Sequence, residues 1–232
     1  MIDNSRLRLI LRYIGSMKVL RLHLLNADGH LTSNLAVIES AVRRAEDIAR
    51  NTLNLNAVDI VCSDDPASAI PETGMSGFAA APQLINLFID ASRKLDENEL
   101  YYTICHELMH IKRYEGPGFG STLLDAMIFE GLGVAFEKEV SSDGSFLSRY
   151  IDSKQDNRAL VRRVTPHFDD TYFDRLHWFI AESAELPRWT GYRVGYWIVR
   201  EYCRSKHKKA SSIALEDFDS FRVFLREDLG RA

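Results

Sequence analysis

The apolar pattern of this chain changes character at Asp96, and that change decides what it can fold into. Before Asp96, apolar residues come in short runs bounded by turn formers. Residues 18–26 (KVLRLHLLN) end at the turn signal Ala27-Asp28-Gly29, and residues 57–62 (AVDIVC) and 84–90 (LINLFID) are bounded by Asp, Pro and Gly, so all three read as strands. Between the last two lies the glycine-punctuated stretch GMSGFAAAP. One helix belongs to this half: in residues 33–52, Leu35, Ile38, Ala41, Val42, Ala45, Ile48 and Ala49 recur at three-and-four spacing. From Asp96 the spacing of Leu100, Ile104, Leu108 and Ile111 is helical, with Asp96 and Glu99 placed as a capping box and a stop at Glu115-Gly116-Pro117-Gly118. Thr122 and Asp125 repeat the capping spacing ahead of a long helix through Leu123, Met127, Ile128, Leu132, Val134, Ala135 and Phe136. Beyond Ser145 the chain reads mainly helical. Strands gathered early and helices gathered late predict an α+β layering in place of alternating units.

With 232 residues, 46% of them hydrophobic, the chain can build one sizeable core. We read a single domain over residues 1–232, its sheet-containing half about 1–95 and its helical half about 96–232. A net charge of −4 leaves no electrostatic footprint for nucleic acid or an anionic membrane surface, so neither is expected as a partner. The basic cluster Arg204 to Lys209 (RSKHKK) follows an apparent helix, where cations complement exposed carbonyls. Three cysteines, an odd count, fit a reducing compartment better than a disulfide scaffold. The N-terminal stretch MIDNSRLRLILRYIGSMKVLRL interrupts every apolar run with arginine or lysine, so it reads as neither a leader nor a membrane span. A cytoplasmic protein is the expectation.

The chemistry sits in Cys105-His106-Glu107-Leu108-Met109-His110. Residues four apart share a helix face, so both imidazoles can reach one zinc ion. Glu107 is rotated off that face by about a hundred degrees and can take a proton from water activated by the ion without binding the ion itself. Two histidines on an apolar helix could instead be buried hydrogen-bonding groups, a reading that predicts nothing special downstream. Downstream, however, Glu130 lies in the apolar stretch IFEGLGVAF between Gly131 and Gly133. Burying a carboxylate there is expensive unless a cation pairs with it, and glycines inside a helix mark close backbone approach. Glu130 is therefore the expected third ligand. Asp125 is expected at the helix start, and Glu137, two turns beyond Glu130, as a hydrogen-bond partner for a ligand imidazole or a solvated side chain.

These residues resemble the gluzincin metallopeptidases, which pair H-E-x-x-H with a downstream glutamate, and thermolysin-like enzymes show a similar histidine-to-glutamate spacing. The segments Thr103-Ile104-Cys105-HELMH with Arg113-Tyr114, then FEGLG, then GYRVGYWIV look more closely like a bacterial family of predicted zinc-dependent proteases with H-E-L-x-H, E-G-L-A and G-Y-x-x-G-Y segments. The resemblance runs from about Gly74 to Arg200. It implies a zincin-like fold with a small antiparallel or mixed sheet whose edge strand lies beside the metal helix. It also implies zinc held by His106, His110 and Glu130, with Glu107 as general base in peptide hydrolysis. Gly133 replaces the family's alanine, and Val134 replaces the acid that thermolysin-like enzymes carry four residues after the glutamate ligand.

Acyl transfer to water also needs a donor for the developing oxyanion. Tyr192 and Tyr196, four apart in GYRVGY, are the catalytic candidates, with His177 as another possibility; packing tyrosines with satisfied hydroxyls are the plainer reading. A peptide or protein substrate could pair with an edge strand formed by residues 77–81 (GFAAA) or 84–90. The expected activity is zinc-dependent hydrolysis of peptide bonds. Alternatives are a catalytically silent binding or regulatory protein on the same fold, and a metallohydrolase of a non-peptide amide.

Overall fold

Four strands form one mixed sheet in the order β1 (Leu20–Leu25), β2 (Val58–Asp64), β4 (Leu84–Ile89), β3 (Met75–Ala81). The computed structural model describes residues 18–141 and 143–230, so most of the N-terminal stretch read as neither leader nor span lies outside it. β1 runs parallel to β2 and β2 parallel to β4, whereas β3 runs antiparallel to β4 and forms one edge. A parallel pair needs a crossover, and between β1 and β2 helix α1 (Leu35–Asp47) supplies it. Alternation along the strands buries Leu20, Ile60, Cys62, Met75, Ala79, Ile85, Leu87 and Ile89.

The edge-strand question thus resolves in favour of residues 77–81, which lie in β3, because residues 84–89 are paired on both sides. Glycine and alanine have low strand propensity, so GMSGFAAAP carries only a weak strand signal of its own.

Helix α2 (Glu97–Tyr114) packs against α1 and β3. Asp96 caps it by accepting from the Asn98 and Glu99 N–H groups, but Glu99 does not close the box. Its carboxylate accepts instead from Phe146 N–H and Arg149, each at 2.9 Å. Helix α3 (Leu123–Val140) follows with the Thr122–Asp125 box complete. Then come α4 (Phe146–Asp152), α5 (Asn157–Val164), α6 (Thr190–Lys206) and α7 (Phe218–Gly230). The architecture is α+β, a small mixed sheet followed by a mainly helical C-terminal half.

α3 and α6 touch backbone to backbone. A Cβ at Gly131 would stand 2.1 Å from the carbonyl carbon of Gly195, and one at Gly195 only 1.7 Å from Met127 O. The glycine between Glu130 and Leu132 therefore lets α6 pack directly on α3. Buried side chains from the sheet and the helices join in one cluster that reaches from Val19 to Leu225. The cysteines are free, and no described helix is long and apolar enough to cross a membrane.

Candidate metal centre

Three buried side chains from two helices converge. His106 and His110 stand one turn apart on α2, and Glu130 enters from α3. The Oε2 oxygen of Glu130 lies 3.2 Å from His106 Nε2 and 3.5 Å from His110 Nε2, and one ligating atom from each residue lies within 4.8 Å of the others. Ligands about 2.0–2.1 Å from a tetrahedral zinc ion are separated by roughly 3.3 Å, so this spacing fits an ion between them. Among the described residues these three form the one group of His, Cys, Asp and Glu side chains so disposed.

Neighbours fix each ring. His106 Nδ1 lies 2.5 Å from Oε1 of Glu137, whose other oxygen accepts from the Ser145 hydroxyl. Glu137 is thus the imidazole's hydrogen-bond partner, and the Nδ1 proton leaves Nε2 free to ligate. His110 stacks on Phe129 with centroids 3.9 Å apart and planes at 8°. Burial pushes the His110 imidazole down to about 4, which keeps it in the neutral form that metals bind.

Glu107, also buried, points to the sheet edge. Its Oε2 accepts from the Ala79 N–H of β3 at 2.8 Å, and Gly77 makes room, since a Cβ there would stand 2.5 Å from Glu107 Cγ. Burial raises the Glu107 carboxyl to about 7; His106 and the Ala79 bond oppose that rise, and Glu130 and Glu137 add to it. For Glu130, burial again acts upward, but the Arg175 charge and the hydrogen bonds from the His106 and His110 rings outweigh it and hold the carboxyl well below its usual range. The two acids therefore suit different work, one as an ionised ligand and one as a proton acceptor poised near neutrality.

Two cavities of about 270 Å³ and about 300 Å³ flank the cluster. The first meets His106, Glu137 and Ser145, and the second meets His110, Glu130, Phe119 and Phe129. Gly77, Phe78, Glu107, Arg175 and Tyr192 border both. Larger depressions on the surface, such as one of about 640 Å³ beside Cys203, hold none of the cluster.

Tyr192 reaches this cleft, its ring 6.4 Å from that of His106. Tyr196 is not brought there; it packs against Val134 and Ile151 and borders the Cys203 depression. His177 lies beside Trp178 at 5.6 Å and borders neither cavity. Asp125 accepts from the Ser121 and Thr122 N–H groups and pairs with Arg222, a helix-start role.

Arg175 had no sequence signal. It precedes a turn at Leu176–Ile180 in a stretch without apolar periodicity, and it donates to Oε1 of Glu130. Only the burial cost of Glu130, which calls for a cation, pointed toward such a partner.

A protein family described as "Predicted Zn-dependent protease (DUF2268)" matches residues 37–221, a span that contains both helices and every group of the cluster. No curated protein and no solved structure gives a match.

Proposed function

The chain belongs to that family of predicted zinc-dependent proteases, and on this footing we propose a gluzincin-type peptidase, a single zincin-like domain acting on peptide or protein substrates in the cytoplasm. In this reading His106, His110 and Glu130 hold zinc and Glu107 is the general base. The observation that carries it is the approach of both Nε2 atoms to one Glu130 oxygen, at 3.2 and 3.5 Å.

Zinc held by these three residues would supply Lewis acidity toward a carbonyl and toward the attacking water. Glu107 takes the proton of the attacking water on its carboxylate and returns it to the departing amine. Its bond to Ala79 N–H keeps that carboxylate against β3 and away from the ligand set. Glu137 keeps the His106 proton on Nδ1. Tyr192, whose side chain borders both cavities, donates its hydroxyl proton to the substrate carbonyl oxygen as charge develops there. Tyr196 has no part in this scheme.

Purified Glu107→Gln tests the reading. It should keep about one zinc per chain and lose hydrolysis of a peptide library by roughly 10²- to 10⁴-fold. Activity retained in that variant removes Glu107 from its role.

A further inference from the structure

The two oxygens of Glu130 have different partners. Oε2 faces the histidines, while Oε1 is taken by the Nη2 of Arg175. The guanidinium does not depend on that ion pair alone for its place, because it lies over the rings of Phe119 at 5.3 Å and Phe179 at 4.8 Å. Phe179 is buried and fills the space left by Gly191, where a Cβ would stand 2.4 Å from the ring. A rigid, permanently charged fork is therefore fixed on the outer side of one ligand.

We propose that Arg175 is a positioning residue that holds Glu130 to one-oxygen ligation of the ion. A carboxylate without such a partner is free to rotate and present both oxygens to a metal, filling a position that a hydrolytic site needs for its small ligands. Holding the carboxylate in its ligating orientation also spares the ion the cost of ordering it. Arg175 borders both cavities, so it exerts this control at the centre of the cleft. The inference rests on the metal reading given above.

Cobalt(II) substituted for zinc tests it, because its visible absorption reports coordination number independently of turnover. Wild type, Arg175→Met and Arg175→Lys are compared by cobalt spectrum and by zinc competition against a chromophoric chelator. The Arg175 side chain is half-exposed, so methionine leaves no buried void. Arg175→Met should alter the cobalt spectrum and weaken zinc binding about 10- to 100-fold, and Arg175→Lys should recover much of both. A methionine variant with the wild-type spectrum and zinc affinity reduces Arg175 to an anchor for its segment and overturns the inference alone. A wild type that takes up no cobalt overturns the metal reading and this inference together.

Discussion

Gly133 lies against the imidazole of His106, so close that a Cβ there would stand 2.5 Å from Nε2, the nitrogen that faces Glu130. An alanine at this position would therefore push on the His106 ring itself. Gly133→Ala should displace the ring and weaken zinc binding by about tenfold or more. The check is zinc competition against a chelator, beside a melting curve taken in excess chelator. Unchanged affinity would mean that the ring can yield without leaving the ion.

Glu137 acts one bond further out. Glu137→Gln keeps the shape and an acceptor oxygen but removes the charge that His106 Nδ1 faces at 2.5 Å. Zinc affinity should fall about 10- to 100-fold while the fold persists. Competition titration measures the first and far-ultraviolet circular dichroism the second.

Gly195 matters for a different reason. Its missing Cβ lets α6 meet α3 at the Met127 carbonyl, and that contact carries Tyr192 over the cleft. Gly195→Ala forces the backbones apart and should cost about 1–3 kcal/mol or more. For a chain of this size that lowers Tm by about 2–4 °C for each kcal/mol, readable by calorimetry.

What the sequence made legible was local. The i, i+4 histidines, the Thr122–Asp125 box and the glycines beside Glu130 each follow from a few neighbouring residues, and they place α2 and α3 correctly. The edge position of β3 was left open because glycine and alanine carry little strand signal, and pairing with β4 supplies the order that they lack. Glu99 has the spacing of a capping residue, yet contacts nearly fifty residues away at Phe146 and Arg149 claim it. Tyr192 and Tyr196 share a helix face, but they stand about 6 Å apart along its axis, and only the first overlooks the cleft. Arg175 reaches Glu130 across 45 positions of sequence, a relationship that no spacing rule encodes.

The most direct measurement is the zinc content of wild type and His106→Ala, both purified without added metal and analysed by inductively coupled plasma mass spectrometry. About one zinc per wild-type chain and little in the variant is the expected result. Equal zinc in the two proteins, or none in the wild type, would contradict a metal centre built on His106, His110 and Glu130.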